Sequence, residues 1–328
     1  MQKECILYKK EKNHVKCLAC SHYCIIPENK TGICGVRKNI NGKLFLLVYN
    51  KVVSHHIDPV EKKPLYHFLP GTNAYSIGTI GCNFKCDFCQ NYEISQEREI
   101  AGENISVEEI VKEAINSKSK SIAYTYNDPA IFTEFCIDIA KLAKKSNLKN
   151  IFVTNGYESK EAIDFISGYI DAMNIDLKSF SNEFYLKNCK AKLQPVLDTI
   201  KYAYEKGIWI EITTLIIPKE NDSEKELESI AKFISSIDKN IPWHISRFFP
   251  MYKMSDKNFT PEKILSKAYE IGKKYLNYVY IGNIQKENNT ICPKCSKEVI
   301  LRHNYITINK LIKGKCPYCS EKIAGVFE

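Results

Sequence analysis

Between residues 73 and 283 the chain alternates short apolar runs with longer amphipathic stretches. Apolar, β-branched or aromatic residues crowd into 73–79, 121–126, 150–154, 172–177, 208–217 and 243–248, all of strand length. The stretches between them carry helix start signals. Ser106-Val107-Glu108-Glu109 reads as a capping box, in which the Ser106 hydroxyl and the Glu109 carboxylate satisfy backbone donors reciprocally, and Ser223 and Glu226 repeat it. Thr260-Pro261 sets a cap before a proline at the first helical position, where no N–H is needed. Ile131, Phe135, Ile139 and Leu142 recur at helical spacing and make one apolar face. Six such strand–helix units predict an α/β fold with a parallel sheet and right-handed crossovers, either doubly wound or a partial or complete barrel. Both architectures gather chemistry at the carboxyl ends of the strands. A further β-like run, 278–283, closes the region.

The flanks read differently. Residues 1–72 form a cysteine-bearing segment with a turn at Gly42 and an apolar run at 44–48. Residues 284–291 are polar, with Gln285, Lys286, Glu287, Asn288 and Asn289, and read as a linker into a small cysteine-bearing module at 292–328. The expected division is therefore 1–72, 73–283 and 284–328. At 328 residues and 44% hydrophobic, the chain can bury a large core, which excludes disordered and disulfide-dependent miniprotein classes. No apolar run approaches the ~20 residues of a membrane span, and the first residues lack a signal-peptide layout, so a cytoplasmic protein is expected. Lys plus Arg is 47 against 38 Asp plus Glu, a net charge of +9. That charge is diffuse: Lys141, Lys144, Lys145 and Lys149 look like ordinary solvation, with no basic–aromatic stripe.

The fourteen cysteines carry more information. In a reducing compartment, tight clusters point to metal or iron–sulfur ligation, whereas Cys136 and Cys189 stand alone and read as buried unliganded thiols. The central motif is Gly81-Cys82-Asn83-Phe84-Lys85-Cys86-Asp87-Phe88-Cys89, a C-x3-C-x2-C placed directly after the first strand. A [4Fe–4S] cluster normally takes four cysteines, so three leave one iron open to chelate a substrate or cofactor. The bland alternative is a zinc site completed by a remote histidine such as His67.

This loop resembles the signature of the radical S-adenosylmethionine (SAM) superfamily. The resemblance implies a partial (β/α)6 barrel, a [4Fe–4S] cluster on Cys82, Cys86 and Cys89, and reductive cleavage of SAM to a 5′-deoxyadenosyl radical that abstracts hydrogen. It also implies SAM contacts from Phe88 in the loop and from strand ends: Asp128 in Thr125-Tyr126-Asn127-Asp128-Pro129, Asn155 and Gly156, and Asp176 with Lys178. Asp176-Leu177-Lys178 is similar to the Asp-x-Lys of pyruvate formate-lyase activating enzymes. Asp128 also suits a turn capping the next helix, and Asp176 with Lys178 a surface ion pair. His244 is taken as a further SAM contact and Arg247 as a weaker one, although two strand residues three apart point to opposite faces. Segments 61–71, 174–178, 243–254 and 278–283 and the C-terminal module are similar to the AmmeMemoRadiSam-system radical SAM enzymes, whose name points to AMMECR1-like and Memo-like proteins as partners.

Two outer cysteine sets remain. Cys292, Cys295, Cys316 and Cys319 form C-x2-C…C-x2-C with twenty residues between the pairs, a zinc-ribbon or rubredoxin-like pattern, and 299–301 with 305–308 suit a hairpin between them. So small a module draws its stability from its metal, zinc or iron. Cys17, Cys20, Cys24 and Cys34 fit one four-thiolate site for zinc or an accessory cluster, with His14 and His22 surplus. His55 and His56, adjacent on a strand, face opposite ways.

The leading reading is a radical SAM oxidoreductase acting on a small-molecule or peptide substrate with an external electron donor. A glycyl-radical activase acting on a partner protein is the alternative, and an iron–sulfur or zinc nucleic-acid-binding protein a more distant one. Segment 64–70, leading straight into the first strand, is expected to lie across the mouth of the site, which favours a small substrate over a partner's loop.

Overall fold

The apolar runs of 73–283 become neighbouring strands of one eight-stranded sheet in a computed structural model that describes residues 2–285, 287–303 and 306–328. Strand β1 (Ser54–Pro59) lies at one edge, antiparallel to β2 (Asn73–Gly78). Then follow β3 (Ser121–Tyr124), β4 (Lys149–Thr154), β5 (Ala172–Asp176), β6 (Trp209–Ile216), β7 (Trp243–Arg247) and β8 (Val279–Gly282), each parallel to the one before. Six helices make the crossovers: α1 (Val107–Asn116), α2 (Thr133–Lys145), α3 (Lys160–Ile166), α4 (Leu193–Glu205), α5 (Glu224–Ile237) and α6 (Glu262–Lys273). Strand order follows chain order without reversal, which removes the doubly wound alternative and its switch point. With crossovers of one hand, the helices share one face of the sheet. Among the described residues, no helix is long and apolar enough to cross a membrane.

Local signals explain most helix starts. The Ser106–Glu109 capping box is formed, and Ser223 caps α5 by accepting from the Glu226 N–H. Helix α6 departs from expectation, because its cap is Pro261 rather than Thr260. The Thr260 hydroxyl instead donates to the Ile216 carbonyl and accepts from the Phe248 N–H, tying the ends of β6 and β7.

The face opposite the helices is filled by segment 60–71. Val60, Leu65, Phe68 and Leu69 pack on Ala74, Ala123, Ile151 and Ala172, which lie toward the N-terminal ends of their strands. The Tyr66 and His67 N–H groups donate to Glu211 of β6 at 2.9 and 2.8 Å, and Asn174 of β5 donates to the Pro64 carbonyl at 2.8 Å. The segment therefore plugs the sheet from below. Beyond Pro64, which reaches the cleft, it does not lie across the mouth at the carboxyl ends, because Leu65, Phe68 and Leu69 are buried against the sheet face. His67 completes no metal site: its ring bonds the Tyr280 hydroxyl at 2.6 Å and the Ala324 carbonyl at 2.7 Å.

The C-terminal module docks under this plug. It has strands Thr290–Ile291, Glu298–His303 and Ile306–Asn309, the last two pairing as a hairpin. Tyr305 of the expected hairpin and Lys286 of the expected linker lie outside the described residues. Val326 bridges to Phe68, and the buried Arg302 guanidinium stands 4.4 Å from the Tyr66 ring centre. The four ribbon sulfurs lie within 4.8 Å of one another, a geometry that could hold a metal ion.

The N-terminal segment makes two small antiparallel sheets. Asn41 and Gly42 both take positive φ, as the turn between Ile40 and Lys43 requires. The segment is pinned to α2 by a fully buried ion pair between Arg37 and Glu134. Glu134 also accepts from the Ile6 and Leu7 N–H groups. Removing the carboxylate strands a buried guanidinium, so Glu134→Ala is expected to cost about 3–5 kcal/mol, read as a lowered urea midpoint at unchanged slope.

Candidate active site

Side chains alternate along each strand, so the pleat decides what faces the plugged side. On β6 and β7 the deeper inward residues, Glu211 and His244, meet the plug, while Thr213 and Ser246, two residues on, reach a cleft above it. That cleft, of about 380 Å3, opens at the carboxyl ends of the strands. Cys82, Cys86 and Cys89 line it together with Phe88, Asp128, Asn155, Asp176 and Lys178. Lys62, Lys63 and Pro64, where the plug begins, also reach it.

The cysteine loop is held at both ends. The Asn127 amide donates to the Thr79 hydroxyl and the Gly81 carbonyl, each at 2.9 Å. Gly81 has φ +90°, and a Cβ there would come within 2.6 Å of the Cys34 carbonyl, so glycine is required where the loop meets the N-terminal segment. Beyond Phe84, the Lys85 and Asp87 N–H groups donate to the Cys189 and Asn188 carbonyls of a single π-helical turn, Tyr185–Cys189. That turn brings Cys189 beside Cys86. Hydrogen bonding to Cys189, then burial, raises the Cys86 thiol well above its ordinary value. Burial raises Cys82, and burial also raises Cys89 against the lowering effect of its 3.2 Å contact with the Ser95 hydroxyl. Unlike the ribbon cysteines, these three do not make a single-ion group among the described residues; they line the open cleft.

The carboxylates and the lysine are placed by long-range contacts. Asp128 is buried. One of its oxygens accepts from the Ala130 N–H at 3.0 Å, capping the turn before α2, and the other from the Asn155 N–H at 2.8 Å and the Thr154 hydroxyl at 3.0 Å. It is therefore a cap and a cleft residue at once. The Asn155 side chain donates to Asn83 at 2.8 Å. Lys178 and Asp176 pair at 2.6 Å at the cleft, where the ammonium stands 5.8 Å from the Phe88 ring centre. Burial opposes the Lys178 charge, but Asp176 and the thiols of Cys86 and Cys189 outweigh it and hold its pKa well above the usual lysine value.

Three expected contacts are elsewhere. His244 bonds Glu211 at 2.7 Å under the edge of Tyr66 and does not line the cleft; it sits one inward position too deep. Gly156 is also outside the lining, and its missing Cβ makes room for Ile175 and Val196 rather than for a ligand. Arg247 points away, donating to the Thr260 carbonyl and stacking 4.6 Å from the Phe259 ring centre. Thr213, Ser246 and Lys63 line the cleft without having been singled out; strand alternation counted from Asp176 and the last inward position of β7 finds the first two.

Behind Asp128 lies Glu158, fully buried and 2.6 Å from the Thr154 hydroxyl. One hydroxyl proton cannot serve both carboxylates, so a protonated Glu158 donates to Thr154, which donates to Asp128. Burial raises Glu158 to about 8 and Asp128 to about 6. Both are raised above their unfolded values, so the folded chain binds the extra protons and their stabilising contribution is lost as pH climbs through those folded values. Glu158→Gln is expected to flatten the fall of the urea midpoint between about pH 5 and pH 8; an unchanged slope would count against a neutral Glu158.

Comparison with known proteins agrees with this geometry. The family model described as the radical SAM superfamily matches residues 76–234, from β2 to α5. An uncharacterized protein of Methanocaldococcus jannaschii is 42% identical over 98% of both chains. A putative glycyl-radical enzyme activating enzyme of the same organism is 32% identical over 68% of this chain and 84% of its own length. The crystal structure of Streptococcus suis SuiB bound to precursor peptide SuiA shares the fold, with a TM-score of 0.51 at 14% identity over 67% of this chain and 50% of that one. A relative above 30% identity over most of its length, and a family model placed on the strands that carry the cysteine loop, settle the kinship: the chain belongs to the radical SAM superfamily.

Proposed function

We propose that the chain is a cytoplasmic radical SAM oxidoreductase, with Cys82, Cys86 and Cys89 holding a [4Fe–4S] cluster and the adjoining cleft holding SAM. The observation that carries this reading is the convergence, in one cleft at the strand ends, of three cysteine thiols with the Asp176–Lys178 pair. When bound, such a cluster would pass one electron, received from an external donor, to SAM for its reductive cleavage and so make hydrogen abstraction from the substrate possible. The chain's own part is positioning. Lys178 keeps its charge against burial and so presents a cation to the carboxylate of SAM, while Asp176 presents an anion to its ammonium. Phe88 adds an apolar wall, and Asp128, through the Asn155 N–H, fixes the strand end that frames the opposite side.

The substrate has two readings. A small molecule or narrow peptide suits the dimensions of the cleft. Activation of a glycyl-radical partner is favoured by the burial of Leu65, Phe68 and Leu69 beneath the cleft rather than across it, and by the name of the 32%-identical relative. Resemblance along the chain to the AmmeMemoRadiSam-system enzymes supports AMMECR1-like and Memo-like proteins as partners in either case. The ribbon cysteines are read as a structural zinc or iron site beneath the plug, remote from the chemistry.

Reduced, anaerobically reconstituted protein is expected to convert SAM to 5′-deoxyadenosine, and Cys82→Ala, Cys86→Ala or Cys89→Ala to abolish this; undiminished cleavage in any of them overturns the assignment. Cys316→Ser is expected to lose the ribbon's metal and expose 287–328 to proteolysis while cleavage persists. A stoichiometric glycine radical on an added partner, seen by electron paramagnetic resonance, selects the activase reading, and label transfer from deuterated substrate into 5′-deoxyadenosine the small-molecule one.

A further inference from the structure

The N-terminal cysteines are not used by this chemistry, yet the fold brings them together. Cys17, Cys20, Cys24 and Cys34 line one cavity, walled by Ile26, Ile131, Arg37 and Asn83. We propose that these four cysteines hold a second iron–sulfur cluster, seated directly against the loop that carries Cys82. The proposal goes beyond the SAM-cleavage reading and does not depend on it.

Sulfur spacing separates a cluster from zinc. A zinc ion with bonds of about 2.3 Å draws its four thiolates to about 3.8 Å from one another. The ribbon cysteines meet that description, lying within 4.8 Å of one another. Cys17, Cys20, Cys24 and Cys34 do not make such a single-ion group among the described residues, although all four line the same cavity. Thiolates that surround a common space without closing on one point suit a group in which the metal atoms are themselves distributed.

The cavity wall also calls for an anion. Arg37 is buried, its Nε donates to the Ile131 carbonyl at 2.9 Å and one terminal nitrogen pairs with Glu134, but Nη1 has no hydrogen-bond partner. The Asn83 side-chain nitrogen is likewise buried and unpartnered. Two orphaned donors in one wall are costly unless an acceptor stands between the cysteines. Four thiolates on an iron–sulfur core carry net negative charge and supply sulfur acceptors to both.

Contacts fix the position relative to the first site. Asn83 follows Cys82 in the chain, its carbonyl accepts from the His22 ring at 2.9 Å, and its side-chain oxygen accepts from Asn155. Gly81, on the other side of Cys82, touches the Cys34 carbonyl so closely that no Cβ fits. His22, which also lines the cavity, thus links the two loops.

The test is iron and acid-labile sulfide per chain in full-length protein reconstituted anaerobically with iron and sulfide. The triple variant Cys82→Ala/Cys86→Ala/Cys89→Ala, which leaves 17–34 intact, is expected to keep about two to four labile sulfides with matching iron. Iron in the ribbon contributes none, because a mononuclear thiolate site contains no sulfide. The double variant Cys20→Ser/Cys24→Ser is expected to lose that same complement and keep the sulfide of the first site. Absence of labile sulfide from the triple variant, or zinc bound at 17–34 in its place, overturns the inference even when SAM cleavage by the wild type is intact. Loss of cleavage chemistry in the wild type with sulfide retained in the triple variant would tell against the function and leave the second cluster standing.

Discussion

One buried carboxylate holds the working parts of this protein in register. Glu211 is fully enclosed on β6, and it accepts hydrogen bonds from the Tyr66 and His67 N–H groups, the Trp209 indole and the His244 ring. Burial works against its charge, but His244 and the other donors more than compensate, and its pKa lies below the ordinary value. An ionised group so enclosed fixes everything that bonds to it. The plug is thereby locked beneath the cleft, and with it the C-terminal module, whose tail pairs with Phe68 and whose Arg302 covers Tyr66.

With the floor fixed, the pleat of the strands does the rest. On β5 and β6 the lower inward residues Asn174 and Glu211 bond to the plug, while Asp176, Thr213 and Leu215, and Ser246 on β7, line the cleft. Neighbouring inward residues on one strand therefore have unlike roles: His244 serves the floor and Ser246 the cleft. Chemistry at the carboxyl ends follows from this division, since only there does the sheet face remain uncovered.

The cysteine loop depends on neighbours remote in sequence. Its start is clamped by Asn127, its end by the π-helical turn at Cys189, and its glycine by the N-terminal segment. The N-terminal segment is in turn anchored by the Arg37–Glu134 pair, so damage to that pair is felt at Gly81. The ribbon cysteines close to within 4.8 Å of one another, whereas Cys82, Cys86 and Cys89 line the cleft and Cys17, Cys20, Cys24 and Cys34 a separate cavity.

What the sequence by itself determined was whatever depends on neighbours along the chain. Strand and helix periodicity marked the units of the sheet, capping residues marked α1 and α5, and the C-x3-C-x2-C and paired C-x2-C spacings marked two cysteine sites, because each is written within a few residues. Asp128, Asn155, Asp176 and Lys178 were legible through the resemblance, at strand ends that the same periodicity locates, and all four line the cleft. Only the tertiary structure decided how far up the sheet each inward residue sits, and so placed His244 beneath the cleft and Gly156 behind it. It alone showed that 60–71 packs from below, that Glu158 stands behind Asp128, and that Asn83 joins the two cysteine loops. Each of those facts rests on contacts between residues tens of positions apart, whose partners are chosen by burial and unmet hydrogen-bonding groups, and no local pattern encodes that choice.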